Sequence, residues 1–262
     1  MGKADGGLRG RVALVTGATR LGGIGAATCR ALAAAGADVA FTHWRAYDRN
    51  FPWAGQVDEP ARLEDDLRAL GVNAVAIEAD LADPETPERL LGEVWDRVGP
   101  LRILVNNAAH STRDGFAKLD AATLDAHYAV NLRATALLSA GFARRHDGSP
   151  GGRVVSLTSG QSLGPMPDEL AYAATKGAVE ALTTSLAPAL MPLGITVNAV
   201  NPGPTDTGWI NDSLARALLP HFPSGRLGTP EDAARLIAWL ASDDAAWITG
   251  QVVNSEGGFL RG

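Results

Sequence analysis

Tyr172 and Lys176 form the residue pair of this sequence that is best suited to proton transfer. Only three tyrosines occur, and Tyr172 alone is followed four residues later by a lysine. On a helix this spacing places both side chains on one face, a turn apart. A cation beside a phenol favours the phenolate, so we expect Lys176 to lower the pKa of Tyr172 from about 10. Such a phenol can act as a general acid or base toward a carbonyl or an alcohol near neutral pH.

Ser159 is a candidate partner for this pair. It follows a predicted strand, Arg153–Thr158, at the carboxyl edge where sheets of this kind bind their ligands. Its hydroxyl could hydrogen-bond a substrate oxygen. Taken alone, the Tyr-x-x-x-Lys pattern also describes a surface tyrosine beside a solvated lysine, so the interpretation depends on the motifs around it.

A glycine-rich turn near the N-terminus predicts a dinucleotide site. Strand Val12–Thr16 runs into Gly17-Ala18-Thr19-Arg20-Leu21-Gly22-Gly23-Ile24-Gly25 and then into an alanine-rich helix. Glycines allow a tight turn and a close backbone approach to a pyrophosphate, and the helix N-terminus offers free N–H groups. The position of the turn, after the first strand and before the first helix, makes it more informative than a glycine-rich run elsewhere.

The residues after the second strand favour NADP(H) over NAD(H). An NAD site usually places Asp or Glu at the end of that strand, and here the strand ends Phe41-Thr42-His43-Trp44-Arg45 without an acid. Either Arg20 or Arg45 could make a charge-assisted contact with a 2′-phosphate, although both could also be simply solvated. We therefore predict NADP(H) as the cofactor, with NAD(H) as the less favoured one.

The elements that must position these residues alternate along the whole chain. Predicted strands are Val12–Thr16, Asp38–Thr42, Asn73–Glu78, Leu101–Asn106, Arg153–Thr158, Ile195–Val200 and Gln251–Asn254, mostly continuous apolar runs as expected for strands covered on both faces. Predicted helices are Ile24–Ala35, Pro60–Leu70, Pro87–Val98, Ala122–Arg145, Leu170–Met191 and Glu231–Ala241. Together they predict a single doubly wound Rossmann-type α/β domain over residues 1–262, with a seven-stranded, mainly parallel sheet and helices on both faces.

Composition excludes several other classes of protein. The 262 residues are 46% hydrophobic and carry a net charge of −6, which argues against a nucleic-acid or anionic-membrane surface. The single cysteine, Cys29, cannot form an intrachain disulfide. No apolar run is long enough to span a bilayer, and the histidines lack metal-ligand spacing. We expect a cytoplasmic protein with a small-molecule substrate, no nucleic-acid or membrane partner and no catalytic metal.

In combination these motifs resemble the short-chain dehydrogenase/reductase family over essentially the full length. Ser159 precedes Tyr172 by thirteen residues, a spacing common in that family. The nearest general resemblance is to the 3-oxoacyl-(acyl-carrier-protein) reductase group, which also gathers many other ketone and alcohol specificities. The matching motifs, in order, are Thr16-Gly17…Gly23-Ile24-Gly25, Asp80-Leu81, Asn106-Asn107-Ala108-Ala109, Asn131, Ser159, Tyr172-x-x-x-Lys176 and Asn201-Pro202-Gly203.

The resemblance implies a role for each catalytic candidate. Tyr172 would protonate the carbonyl oxygen during reduction, or deprotonate the alcohol in the reverse direction. Lys176 would lower the pKa of Tyr172 and hold the nicotinamide ribose, and Ser159 would orient and polarise the substrate oxygen. Asn131 would anchor a water molecule in a proton relay; without the resemblance, a capping or packing role would be the default for an asparagine in an apolar helix.

The resemblance also assigns the cofactor contacts. Asp80 and Leu81 would contact the adenine, Asn107 would hold the strand that carries the cofactor, and the segment Pro202–Thr207 would lie against the nicotinamide. The full predicted set of cofactor-binding residues is Gly17, Thr19, Arg20, Leu21, Gly23, Ile24, Arg45, Asp80, Leu81, Asn107, Ala108, Ala109, Tyr172, Lys176, Pro202, Gly203, Thr205 and Thr207.

One departure from the family pattern bears on the reaction. Five residues separate Gly17 from Gly23 where the family usually has three, and such longer turns resemble those of divergent enoyl reductases in the same superfamily. Those enzymes typically have six residues between the tyrosine and the lysine. Here three residues separate Tyr172 from Lys176, which favours carbonyl chemistry over C=C reduction.

We therefore predict an NADP(H)-dependent oxidoreductase that reduces a ketone to a secondary alcohol. The alternatives are a dehydrogenase that oxidises a sugar, steroid or secondary-metabolite alcohol, and a non-catalytic NADP-binding regulator. Residues 203–226 are rich in apolar side chains and form the predicted substrate lid. Helices Ala122–Arg145 and Leu170–Met191 are apolar over more surface than a sheet face covers, and with the resemblance this predicts a homotetramer, or a homodimer.

Overall fold

The apolar runs of the sequence become the strands of one parallel sheet. The computed structural model describes residues 7–50 and 57–261, and all seven strands lie within those ranges. The sheet order is β3-β2-β1-β4-β5-β6-β7, and each neighbouring pair is parallel. The strands are β1 (Val12–Val15), β2 (Asp38–His43), β3 (Ala74–Glu78), β4 (Leu101–Asn106), β5 (Gly152–Leu157), β6 (Ile195–Asn201) and β7 (Val252–Asn254). The prediction of a seven-stranded parallel sheet in a doubly wound fold is confirmed.

Helices cover both faces of this sheet, as predicted. The residues of α1, α3 and α9 pack with β1 and β2 in one apolar cluster, which contains Phe41 and Leu32. The residues of α4, α6 and α7 form the other cluster, which contains Leu104 and Phe142. The helices are α1 (Ile24–Ala34), α2 (Arg45–Asp48), α3 (Glu59–Ala69), α4 (Thr86–Arg97), α5 (Ala121–His127), α6 (Thr135–Arg145), α7 (Leu170–Leu190), α8 (Asp212–Leu218) and α9 (Pro230–Ala241).

The predicted continuous helix Ala122–Arg145 is interrupted. A π-helical segment, Tyr128–Ala134, lies between α5 and α6, so that the run divides into three parts. Asp120 caps the first turn of this run, with its carboxylate accepting a hydrogen bond from Thr123 N at 2.8 Å. π-helical turns widen a helix locally and often occur at functional sites. The prediction of one regular helix was wrong at this position.

The two long stretches that the sequence leaves without regular structure each contain a short helix. The stretch His43–Glu59 forms α2 directly after β2, while its residues 51–56 lie outside the described ranges. The stretch Pro202–Gly228 contains α8, whose N-terminus is capped by Asn211 through a hydrogen bond from Leu214 N at 2.9 Å. Both helices were missed as elements.

The chain changes direction across the sheet between β1 and β4. From β1 it builds outward through β2 and β3, and it then returns to place β4 on the other side of β1. The connections that leave the carboxyl ends of β1 and β4 therefore lead to helices on opposite faces of the sheet, α1 on one and α6 on the other. The crevice at this point of reversal is where doubly wound sheets bind their ligands. The glycine-rich turn follows β1, and Asn107 follows β4.

Candidate active site

Helix α7 carries the predicted proton-transfer pair, and a residue from a distant loop fixes its first turn. The carboxylate of Asp114 accepts hydrogen bonds from Leu170 N at 2.7 Å and from Ala171 N at 2.8 Å. Burial opposes ionisation of Asp114, but these bonds and one from Gly115 N outweigh it and lower the pKa of Asp114. Asp114 therefore satisfies the free N–H groups of the two residues that directly precede Tyr172.

Lys176 is buried, at 3% exposure, and its ammonium group is held in one place. Its Nζ donates a hydrogen bond to the carbonyl of Leu157 at 2.7 Å, which joins α7 to the end of β5. The same nitrogen lies 5.5 Å from the centroid of the Tyr172 ring. Burial lowers the pKa of Lys176 from 10.5 to about 8, because the charged form is taken out of water.

The pKa of Tyr172 lies in the opposite direction from the sequence prediction. Burial is the largest cause and raises the pKa of the phenol, and the nearby carboxylate of Glu169 raises it further. A hydrogen bond with Ser159 acts against both. Lys176 does not reverse this balance, since its ammonium is directed to the Leu157 carbonyl. The phenol is therefore a protonated donor at neutral pH, and the expected lowering of its pKa was wrong.

Asn131 lies within the π-helical segment and links three elements. Its side-chain oxygen accepts a hydrogen bond from His110 N at 2.7 Å, and its nitrogen donates to the His110 carbonyl at 2.9 Å. The nitrogen also donates to the hydroxyl of Thr175 at 3.0 Å, beside Lys176 on α7. Asn131 is 1% exposed, and it fixes the loop after β4 relative to the helix that carries the proton-transfer pair.

The glycine-rich turn lies tightly against the loop after β4. A Cβ on Gly17 would lie 2.6 Å from the Cα of Ala108, and one on Gly25 would lie 2.5 Å from the carbonyl oxygen of Gly17. Asn107 Nδ2 donates to the Thr16 carbonyl at 2.8 Å and to the Gly17 carbonyl at 2.9 Å. Only glycine fits at the two positions, and Asn107 holds the two loops of the crevice together.

The N-terminus of α1 is not capped by the side chain of its own N-cap residue. Its N-cap is Gly23, which makes no side-chain cap hydrogen bond, and no acidic residue lies in the first turn. Ile24 follows and lines the cavity described below. An uncapped N-terminus of an 11-residue helix, beside glycines that leave room for a ligand, fits the pyrophosphate of a dinucleotide.

The additional residues of the long turn make contacts that the sequence did not indicate. Leu21 is held on both sides, since its N–H donates to the Glu59 carboxylate at 2.6 Å and its carbonyl accepts from Arg30 at 2.9 Å. Arg20 reaches across the crevice, donates to the Thr207 carbonyl at 2.7 Å, and lies 3.7 Å from the Asp48 carboxylate. Arg20 therefore lies at the edge of the crevice, where its guanidinium is close to a carboxylate.

A cavity of about 990 Å³ joins the crevice to the lid region. Tyr172 and Ser159 line it on one side, and Arg20 lines it on the other. The hydroxyl of Ser159 is directed toward this space and has Met166 Sδ 4.0 Å away. Of the predicted site residues, those that line the cavity are Arg20, Ile24, Ala109, Ser159, Tyr172, Pro202, Gly203, Thr205 and Thr207.

Other predicted residues lie behind the cavity wall or away from it. Gly17, Thr19, Asn107 and Ala108 form the turn and its support, and Thr19 accepts a hydrogen bond from Trp44 N at 3.2 Å. Arg45 begins α2 and does not line the cavity, whereas Arg20 does. Asp80, Leu81 and Gly23 do not line the cavity either. Leu81 is buried in the core, and the carboxylate of Asp80 accepts a hydrogen bond from Ala82 N. Gly23 is the N-cap residue of α1.

Several cavity residues were not found from the sequence. Tyr47 lines the cavity, and its hydroxyl accepts a hydrogen bond from Ser111 N at 2.9 Å, so that α2 contacts the loop after β4. Asp48 and Glu169 also line the cavity. For Tyr47 and Asp48, the sequence signal was the aromatic and charged composition of the stretch His43–Glu59. No sequence signal indicated Glu169.

The lid region closes the far end of the cavity and packs on the C-terminal segment. Trp209 lines the cavity and donates from its indole nitrogen to the Thr205 carbonyl at 2.8 Å. His221 and Leu260 exchange hydrogen bonds, and the rings of Phe222 and Phe259 lie 4.9 Å apart. Residues 203–226 are therefore anchored at both ends, with α8 between the anchors.

Metal-binding clusters and membrane-spanning helices are both absent from the described ranges. Across residues 7–50 and 57–261, no group of three or more His, Cys, Asp or Glu side chains is placed to hold a metal ion. In the same ranges, no helix has the length and apolar character needed to cross a membrane.

Comparisons with known proteins agree with this geometry. Residues 17–260 match the family model described as enoyl-(acyl carrier protein) reductase. The chain is 51% identical to the uncharacterized oxidoreductase YjdA of Bacillus subtilis, over 96% of this chain and 98% of that one. It is 32% identical to the 3-oxoacyl-[acyl-carrier-protein] reductase FabG of Aquifex aeolicus, over 97% and 98%. A short-chain dehydrogenase of Burkholderia cenocepacia, solved in complex with NADP, superposes with a TM-score of 0.86 at 36% identity, over 96% and 98%.

The chain belongs to the short-chain dehydrogenase/reductase family. It is an oxidoreductase with a Rossmann-type fold, and the class of cofactor for this family is a nicotinamide dinucleotide.

Proposed function

We propose that this protein reduces a ketone to a secondary alcohol with NADPH. The observation that carries the proposal is the position of Tyr172, a phenol that lines the active-site cavity together with Ser159. Reduction of a carbonyl needs a proton donor at the oxygen, and a phenol that stays protonated at neutral pH supplies one. Oxidation of an alcohol would start from the phenolate of the same residue.

Each residue of the site has a separate role in the proposed reduction. The nicotinamide cofactor, when bound, supplies the hydride. Ser159 donates a hydrogen bond to the carbonyl oxygen and orients it toward Tyr172. Tyr172 then gives its phenolic proton to that oxygen as negative charge develops on it. Both side chains line one cavity, which supports this pairing.

Lys176 and Asn131 position Tyr172 and return a proton to it in the proposed cycle. Lys176 holds a cation near the phenol, where it stabilises the phenolate formed after proton transfer, and its lowered pKa makes it a suitable proton source. Asn131 joins the loop after β4 to Thr175, next to Lys176, which supports a place for it in a proton relay toward solvent.

NADP(H) is the proposed cofactor, with Arg20 as the contact for its 2′-phosphate. β2 ends at His43, with no acid at the position where NAD sites usually have one. Arg20 lies at the cavity edge and is already engaged with a carboxylate, Asp48, at 3.7 Å. A phosphate offers a more highly charged partner for the same guanidinium. A similar protein was solved with NADP, which supports this choice.

Two alternative reactions are distinguished by direct assays. The description of the matching family model favours enoyl reduction, whereas the three residues between Tyr172 and Lys176 favour carbonyl chemistry. An alcohol dehydrogenase would catalyse the same reaction in the oxidative direction, from the alcohol to the ketone. A regulator without catalysis would not require Ser159, Tyr172 and Lys176 to meet in one site.

The test is a panel of ketones, secondary alcohols and enoyl thioesters, assayed with NADPH, NADH and their oxidised forms. We expect NADPH consumption with ketones at neutral pH, and a higher kcat/KM with NADPH than with NADH. Turnover restricted to enoyl thioesters would refute carbonyl reduction, and equal kcat/KM values for the two cofactors would refute the assignment of NADP(H).

We also propose a homotetramer. Large apolar side chains are exposed on the α5–α6 face, where Tyr128 is 48% exposed, and near the end of the chain, where Trp247 is 93% exposed. Two such regions on one chain provide for two different interfaces. Size-exclusion chromatography with light scattering should give four times the chain mass, and a monomer would refute the proposal.

A cytoplasmic location is proposed on the basis of Cys29, a free cysteine buried in α1.

A further inference from the structure

Glu169 places a carboxylate in the active-site cavity that neither the fold nor the proposed proton transfer uses. It immediately precedes α7 and stands three residues before Tyr172, and both residues line the same cavity. Its side chain is partly buried. The cavity that is lined by the phenol of Tyr172 is therefore also lined by a carboxylate.

The local structure of α7 explains why this carboxylate is available. Glu169 is the N-cap residue, and a polar side chain at an N-cap usually accepts hydrogen bonds from the first free N–H groups of its own helix. Glu169 makes no such bond. Asp114 supplies the cap from another loop, through Leu170 N and Ala171 N. The helix end is satisfied without Glu169.

The surroundings of Glu169 leave its carboxylate without a partner inside the described ranges. Across those residues, its oxygens take part in no hydrogen bond and in no ion pair. Burial is the first cause that raises the pKa of Glu169, and Asp114 and Asp168 add to it, while the exposed cation of Arg113 acts against it. A partly buried acceptor without a donor costs free energy, which a ligand with a donor would recover.

We propose that Glu169 recognises the substrate by accepting a hydrogen bond from a hydroxyl group next to the reacting carbonyl, so that the substrate is a hydroxylated ketone. The separation of one helical turn between Glu169 and Tyr172 suits a donor on a carbon adjacent to the carbonyl. The acidic surroundings disfavour an anionic group at this position. Met166 and Trp209 line the cavity nearby and leave apolar surface for the rest of the substrate.

This inference rests on the proposed ketone reduction, and matched pairs of ketones test it. The pairs are acetoin with 2-butanone, dihydroxyacetone with acetone, and 2-hydroxycyclohexanone with cyclohexanone, each assayed with NADPH. The variants are Glu169→Leu, which removes the acceptor, and Glu169→Gln, which removes its charge. Asp168→Asn is the matched control, because it removes a charge from the neighbouring, exposed residue that does not line the cavity.

The wild-type protein should have a higher kcat/KM for the hydroxylated member of each pair that it reduces. Glu169→Leu should lower the ratio of kcat/KM for the hydroxylated ketone to kcat/KM for its plain partner by roughly 10-fold or more, with Glu169→Gln between it and the wild type. Any effect of the substitution on the pKa of Tyr172 acts on both members of a pair and cancels in this ratio. Asp168→Asn should preserve the preference. A wild-type protein without the preference, or an equal loss for both members in Glu169→Leu, would overturn the inference alone. Absence of any ketone reduction by the wild type would overturn the proposed function and the inference with it.

Discussion

Burial of Lys176 leads to a pH dependence of stability that can be isolated with one substitution. The pKa of this lysine is about 8 in the folded chain and 10.5 in its ordinary state. Between these values the unfolded chain binds more protons than the folded chain, so the free energy of unfolding rises with pH. The full contribution of the interval is about 3 kcal/mol, and about 2 kcal/mol of it falls between about pH 7 and pH 9.5.

The substitution Lys176→Met removes the titrating group and keeps a side chain of similar length. It also leaves the Leu157 carbonyl without its donor, which changes stability by an amount that does not depend on pH. The wild-type protein should therefore gain about 2 kcal/mol relative to Lys176→Met when the pH is raised over this range. Urea unfolding at about pH 7 and pH 9.5, followed by tryptophan fluorescence, measures the difference.

A second lysine provides the control. Lys118 is exposed, so Lys118→Met should follow the wild-type protein at both pH values. Other groups that titrate in this range are shared by all three proteins and cancel in the comparison. If the stabilities of the wild-type protein and Lys176→Met changed in parallel with pH, Lys176 would have an ordinary pKa and the account of its burial would be incorrect.

Two further predictions concern the start of α7 and the cofactor. Asp114→Asn should lower the free energy of unfolding by about 1–3 kcal/mol, because an amide has one oxygen and cannot accept both N–H groups as a carboxylate does. Urea unfolding measures the change. A change no larger than that caused by Asp168→Asn, at an exposed position, would contradict the capping role of Asp114. Arg20→Gln should raise the Kd of NADPH by roughly 10-fold or more and leave that of NADH within about 2-fold, as measured by fluorescence titration. An equal loss for both cofactors would show that Arg20 acts on the turn and not on the 2′-phosphate.

The sequence was sufficient to predict the sheet and the turn that follows β1. Continuous apolar runs such as Leu101–Asn106 are buried on both faces, so their composition alone marks them as central strands. Gly17 and Gly25 are required by contacts within their own turn and with the adjoining loop, and a local motif indicates them well. The predicted helix Glu231–Ala241 corresponds to α9 within one residue, and the run Thr229-Pro230-Glu231-Asp232 is the sequence signal for its start.

The properties that depend on long-range contacts could not be predicted. The pKa of Tyr172 is set by burial and by Glu169, and helical spacing shows only that Lys176 is near. The π-helical segment coincides with the hydrogen bonds of Asn131 to His110 and Thr175, which join residues far apart in the sequence. An asparagine in an apolar helix was the one available signal for it.

The charged contacts of the crevice show the same limit. Arg20 was identified as a candidate from its position in the turn, whereas its contacts with Thr207 and Asp48 arise only when two distant loops fold against it. Tyr47 reaches the loop after β4 from a stretch whose helix α2 is only four residues long. Such short helices have too few residues to show periodicity in a sequence.

Tyr172→Phe tests most directly whether Tyr172 donates the proton in NADPH-dependent reduction. The variant loses only the phenolic hydroxyl, and phenylalanine suits a buried position. For the ketone that the wild type reduces best, kcat should fall by roughly 100-fold or more, while the Kd of NADPH stays within about 2-fold. Retention of wild-type turnover by Tyr172→Phe, with NADPH bound as tightly as before, would contradict the role of Tyr172 as the proton donor.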